Sequence, residues 1–133
     1  MKTQIAAALG LVVGVGLGAA AVQGLHAQAK PPVYYVAEID VSNPEAYAKE
    51  YAPKARAAID KAGGKFLALA GAGTSGAKVT ALDGEPPKRV AIQVWPSLEQ
   101  LQASFNSPDY QEARKIGAKY ATFHSFAVDG LPQ

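Results

Sequence analysis

Val33-Tyr34-Tyr35-Val36-Ala37-Glu38-Ile39-Asp40-Val41-Ser42-Asn43-Pro44-Glu45 is the stretch from which the fold is read. Its first nine residues alternate. Tyr35, Ala37, Ile39 and Val41 fall on one side and Tyr34, Val36, Glu38 and Asp40 on the other, the period-two pattern of a strand. Ser42 or Asn43 can cap a following helix, Pro44 suits its first position, and Glu45 faces the positive end of the helix dipole. That helix is expected to run to about Ala62, with Tyr47, Tyr51, Ala55, Ala58 and Ile59 near one stripe. Tyr47 and Tyr51, four apart, read as core residues with their hydroxyls at its edge. Pro53 is expected to kink the helix, because it removes a backbone donor and crowds the preceding turn. Gly63-Gly64 ends it.

Downstream, Lys65 to Ala72 reads as a second strand and Lys78 to Leu82 as a short edge strand. Asp83-Gly84 and Pro86-Pro87 form a loop. Arg89 to Trp95 is a third strand, and Ser97-x-x-Gln100 opens a helix with a capping-box pattern. Ser107 and Pro108 restart that helix, which continues to about Tyr120, and Thr122 to Asp129 is the last strand. The order β-α-β-(β)-β-α-β predicts an α+β, ferredoxin-like βαββαβ antiparallel sheet with both helices on one face.

Such a sheet has a second face. It is expected to carry Tyr34, Val36, Glu38 and Asp40 from the first strand and Arg89, Ala91, Gln93 and Trp95 from the third. The last strand adds either His124, Phe126 and Val128 or Phe123, Ser125 and Ala127. A face of that apolar area is expected to be covered by a second copy, giving a homodimer with two sheets around a shared space.

Upstream lies a different kind of sequence. Residues 1–29 hold 5 of the 13 glycines in a chain of 133, and one charged residue, Lys2. Ile5 to Val22 is uncharged, and Ala27-Gln28-Ala29 is a small-x-small cleavage pattern. This predicts a secretory signal peptide over 1–29, a single domain over 30–133, and export to the periplasm or medium. The competing reading is an uncleaved anchor, since Gly10, Gly14 and Gly18 repeat at the spacing of packed transmembrane helices. Membrane contact is expected only in that case.

Composition narrows the chemistry. From Lys30 onward all 11 acidic and 12 of the 13 basic residues remain, a net charge of +1 that favours neither nucleic acid nor acidic partners. Without cysteine there are no disulfides, thiolate ligands or cysteine nucleophile, and His124 is the one histidine left, so a multi-histidine metal site cannot form in one chain. The Gly71-Ala72-Gly73 turn is followed by neither a Lys-Ser/Thr pair nor a helix, which argues against a phosphate loop. No cofactor and no metal is expected.

Seven pieces come in this order: Tyr47-x3-Tyr51, Gly63-Gly64-Lys65-Phe66-Leu67, Leu82-Asp83-Gly84, Arg89, Trp95-Pro96-Ser97, Ser107-Pro108-Asp109-Tyr110-Gln111 and Phe126-Ala127-Val128-Asp129-Gly130. Together they resemble the uncharacterised family called "domain of unknown function 1330", over about Val33 to Leu131. The resemblance implies the dimeric α/β-barrel superfamily, whose members include cofactor-independent oxygenases, lactone isomerases and haem enzymes. The chain departs from the family pattern at Gly117, where arginine is frequent, and at Trp95, where phenylalanine is common.

The candidate site residues are the polar and aromatic groups of the second face. Arg89 can hold a carboxylate or enolate oxygen, and Glu38 or His124 can act as general base. Tyr34, Gln93 and Trp95 are candidate ligand-binding groups, the aromatics as flat walls for a planar molecule. Each has a plainer reading: Glu38 and Arg89 suit a cross-strand ion pair, His124 a surface position, and Trp95 core packing. The residues leave open whether the chain is an enzyme. The first reading is a small planar or carboxylate-bearing ligand held between the two sheets, with cofactor-free proton transfer or isomerisation. The alternative is a non-catalytic structural or accessory dimer whose inner face is only an interface.

Overall fold

The computed structural model describes residues 30–133. The signal segment expected over 1–29, with its cleaved and anchored alternatives, lies outside the described residues. β1 (Val33–Val41) leads into helix α1 (Pro44–Ala46), a π-helical turn (Tyr47–Tyr51) and helix α2 (Ala52–Ala62). β2 (Lys65–Gly71), β3 (Arg89–Trp95), helices α3 (Leu98–Phe105) and α4 (Pro108–Gly117), and β4 (Ala121–Asp129) follow. The four strands form one antiparallel sheet in the order β2-β3-β1-β4, the ferredoxin-like arrangement expected from the strand and helix order.

Local chemistry sets the element ends. Asn43, rather than Ser42, caps α1 by accepting the Ala46 N–H at 3.1 Å, while the Ser42 hydroxyl donates to the Tyr120 carbonyl. Ser97 and Ser107 accept from the N–H groups of Gln100 and Tyr110 at the starts of α3 and α4. Pro53 is accommodated by the π-turn ahead of it. The Ala52 N–H reaches back five residues to the Tyr47 carbonyl, so the helix takes up an extra residue where the proline cannot donate. At its other end Gly63, at φ 97°, lets the N–H of Gly64 close onto the Ile59 carbonyl. The short strand expected over Lys78 to Leu82 is absent. The Ala77 carbonyl accepts the Gly71 N–H, closing the glycine-rich turn, and no ladder bond follows it.

The core lies between the sheet and the helices. Tyr35, Ala37 and Ile39 of β1 pack with Tyr47, Tyr51 and Ile59 from the first helical stretch and with Leu101, Tyr110 and Ala113 from the second. Burying a side chain such as Ile59 or Leu101 contributes about 1.5–3 kcal/mol each. Trp95, 1 % exposed, fills the floor beneath Gly64.

The strand register corrects one expectation. Residues directly opposite in an antiparallel pair share a face, and Ile39 faces Arg89, Ala37 faces Ala91, Tyr35 faces Gln93 and Val33 faces Trp95. Arg89, Ala91, Gln93 and Trp95 therefore lie under the helices, not on the second face. That second face instead carries three cross-strand rows: Val94-Tyr34-Val128, Ile92-Val36-Phe126 and Val90-Glu38-His124. Phe126 and Val128 are 44 % and 46 % exposed there. Of the two alternatives for β4, the His124, Phe126 and Val128 set is the one on this face.

Candidate functional site

A cavity of about 330 Å³ separates the covered face of the sheet from the helices, a size at which small-molecule sites occur. Its floor is Tyr35, Ala37 and Ile39 from β1 with Arg89, Ala91 and Gln93 from β3. The π-turn supplies Tyr47 and Tyr51, α4 supplies Tyr110, and Phe123 of β4 closes one side. The π-turn keeps both of its tyrosines inward, their rings 4.9 Å apart.

Arg89 is the main electrostatic feature. It is 3 % exposed, its Nη1 donates to the Ala72 carbonyl at 2.7 Å, and its guanidinium lies 4.8 Å from the centre of the Tyr47 ring. Among the described residues it has no carboxylate partner, and its Nε has no hydrogen-bond partner. A buried cation without a counter-charge is costly, and a buried N–H without an acceptor adds to that cost. A shallower groove under Gly73, Thr74 and Ser75 shares Ala52, Leu69 and Arg89 with the cavity, so Arg89 forms part of the wall between the two.

The other polar groups are also arranged as donors. Trp95 Nε1 donates to Gln93 Oε1 at 2.9 Å. An indole N–H can only donate, so it must meet the amide oxygen, and the Gln93 NH2 is left to the cavity it lines. Burial pushes the Tyr35 phenol up to about 12, with the Tyr110 hydroxyl adding to the shift. Burial likewise takes Tyr47 to about 12 against the opposing pull of Arg89. Burial and the Tyr110 hydroxyl raise Tyr51 as well. These phenols stay protonated at neutral pH and can donate to an acceptor. Arg114 of α4 stands behind them, its Nη1 3.3 Å from the Tyr110 hydroxyl and its guanidinium 3.6 Å from the Phe123 ring centre.

The six residues expected at the site are thus split. Arg89 and Gln93 line the cavity. Trp95 does not line it but holds Gln93 from behind. Tyr34, Glu38 and His124 are on the opposite side of the sheet, where Glu38 and His124 face each other across β1 and β4. The expected Glu38–Arg89 ion pair does not form, because Glu38 faces Val90 and Arg89 faces Ile39. Neither Glu38 nor His124 is placed to act as a base on a ligand bound at Arg89. Tyr35, Tyr47, Tyr51, Tyr110 and Arg114 were not expected at the site. The i, i+4 spacing of Tyr47 and Tyr51 is their sequence signal: it sets both on one helix face, and that face lines the cavity. Among the described residues no three His, Cys, Asp or Glu side chains gather to hold a metal.

The family described as Domain of unknown function (DUF1330) matches residues 32–131. No curated protein matches the chain. Solved structures that share its fold include the following three. RPA0582, a protein of unknown function from Rhodopseudomonas palustris, is 19 % identical with a TM-score of 0.56, over 78 % of this chain and 85 % of that one. SnoaB, a cofactor-independent oxygenase from Streptomyces nogalater, is 13 % identical with a TM-score of 0.55, over 77 % and 96 %. Rv0793 from Mycobacterium tuberculosis is 18 % identical with a TM-score of 0.50, over 77 % and 97 %. At these identities the likeness is one of fold.

Proposed function

The chain belongs to the DUF1330 family, and from its cavity we propose that it binds a small, planar, anionic molecule between its sheet and its helices, with Arg89 as the charge partner. The observation that carries this reading is the buried Arg89 guanidinium, which has no carboxylate beside it and an Nε without an acceptor. A carboxylate, enolate or phenolate oxygen in the cavity would satisfy both needs. The aromatic rings of Tyr47, Tyr51 and Phe123 favour a flat ligand. That a cofactor-independent oxygenase shares the fold is compatible with chemistry in such a cavity, but fold alone assigns none. The ligand place expected between two sheets moves, in this reading, to the space under the helices of one chain.

The test is a calorimetric titration with naphthalene carboxylate, using neutral naphthalene carboxamide as a control of the same shape. The expected result is saturable binding of the carboxylate that Arg89→Met weakens at least tenfold. Equal affinity for acid and amide, or an unchanged Arg89→Met variant, would contradict it.

A second reading concerns assembly. The open face presents Val36, Ile92, Val94, Phe126 and Val128 as a continuous apolar surface, which supports pairing of two copies sheet to sheet. The leader pattern of residues 1–29 supports export. A mature chain starting at Lys30 in intact-mass spectrometry would rule out the anchored alternative.

A further inference from the structure

The two long sides of the cavity differ in chemistry. β3 and β4 flank β1 in the sheet, so they lie about 9–10 Å apart. Arg89 rises from β3 and reaches out to the Ala72 carbonyl, just past the end of β2. Across β1, Arg114 rests on Phe123 of β4 and donates to the Tyr110 hydroxyl at 3.3 Å. Among the described residues Arg114, too, has no carboxylate partner. A guanidinium can only donate, so the Tyr110 oxygen accepts from it and the Tyr110 O–H is left to donate elsewhere. Tyr110 is 4 % exposed and lines the cavity. Between the two sides the floor is Ala37 with Ala91, small enough for a flat molecule to lie across β1.

Resting on the anion reading above, we propose that the ligand is a planar keto acid whose carboxylate meets Arg89 and whose uncharged carbonyl oxygen, at the opposite end, accepts from Tyr110. Arg114 is then a positioning residue, which occupies the Tyr110 oxygen from behind and leaves its O–H for the ligand. The charged end is a carboxylate because burial outweighs the guanidinium here: Tyr47, its ring centre 4.8 Å from Arg89, is still raised to about 12. A phenol meets the same penalty and stays neutral, whereas a carboxylic acid, ionised above about pH 4 in water, remains an anion at neutral pH under a shift of that size. The far end suits a neutral acceptor, since Tyr35 and Tyr51 beside Tyr110 are raised by burial first and by Tyr110 after it. A ligand lacking the carbonyl oxygen leaves a buried donor unpaired, which costs about tenfold or more in affinity.

The probe is para-acetylbenzoate, titrated calorimetrically into the full chain beside para-isopropenylbenzoate, which has the same shape with CH2 in place of the carbonyl oxygen, and terephthalate, which carries a second carboxylate there. The wild-type chain should bind the acetyl compound about tenfold or more tightly than either of the others. Tyr110→Phe should bring the acetyl and isopropenyl affinities together. Arg114→Met should narrow the gap, and Arg114→Lys, which still donates, should restore part of it; a role in folding alone would move both affinities equally. The wild-type comparison needs no variant and stands even if a substitution disturbs the fold. Equal wild-type affinities for the acetyl and isopropenyl compounds would overturn the keto-acid proposal and leave the anion site standing. So would tighter binding of terephthalate, or a preference that survives in Tyr110→Phe. The same holds if para-acetylbenzoate fails to bind where naphthalene carboxylate binds, whereas failure of both would remove the anion reading as well.

Discussion

Trp95 Nε1 donates to Gln93 Oε1 at 2.9 Å, and this bond decides which end of the Gln93 amide faces the cavity. Trp95 does not line the cavity and acts through its neighbour. The structure therefore predicts that Trp95→Phe will alter binding without reshaping the lining. With the indole N–H gone, Gln93 can turn its oxygen inward, where it opposes an anion. Affinity for naphthalene carboxylate should fall about tenfold, equivalent to about 1.4 kcal/mol, while binding of neutral naphthalene is unchanged. Parallel calorimetric titrations check this. Stability should also drop by about 1–3 kcal/mol, because a buried acceptor loses its donor.

The raised phenols make the fold sensitive to alkali. Tyr35 and Tyr47 sit near 12 in the folded chain against 10.0 for an unburied phenol. The unfolded chain therefore loses these protons first as pH rises. Their contribution is fully present below pH 10 and is lost as pH climbs toward 12. Each shift corresponds to about 2–3 kcal/mol. Denaturation midpoints followed by circular dichroism should be flat up to the lower bound and fall steeply beyond it. Tyr35→Phe combined with Tyr47→Phe should flatten that fall.

Gly64 is a packing requirement, since its backbone does not adopt positive φ. A Cβ there would lie 2.6 Å from Trp95 Cε2, inside a wholly buried contact. Gly64→Ala should cost about 1–3 kcal/mol by forcing the indole or β2 to shift. It should also disturb the Trp95–Gln93 bond. Urea denaturation gives the stability change, and tryptophan fluorescence reports the displaced ring.

The open sheet face yields a prediction about assembly. Ile92 lies at the centre of that face, opposite Val36 on β1. If two copies pair there, Ile92→Glu should convert a dimer to a folded monomer, seen as a halved mass in sedimentation with an unchanged far-ultraviolet spectrum. A wild-type monomer at high concentration would contradict the pairing.

Most of the fold was legible in the sequence, because its signals are local. The alternation in Val33–Val41, the Pro44, Ser97 and Ser107 starts and the Gly63-Gly64 stop each act over a few residues. The site was legible only in part, and β3 shows why. Its Val90, Ile92 and Val94 look like a core face and its Arg89, Ala91 and Gln93 like an exposed or inter-sheet face. The register with β1 places them the other way round. A strand buried on one side by helices around a cavity, and apolar on the other, defeats the rule that the more apolar side faces the helices. Arg89 and Gln93, singled out by their chemistry, both line the cavity, though on the face opposite to the one expected. Tyr110 and Arg114 are brought to the site by the packing of α4, which no short-range pattern reports.

An anion held by Arg89 would supply the acceptor that its buried Nε–H lacks, and the Arg89 Nε–H resonance in an NMR titration reads that contact directly. On addition of naphthalene carboxylate this resonance should move downfield saturably, following the same affinity as the calorimetric titration, and should not move with the carboxamide. Saturable carboxylate binding that leaves the Arg89 Nε–H resonance in place would put the ligand elsewhere and contradict it.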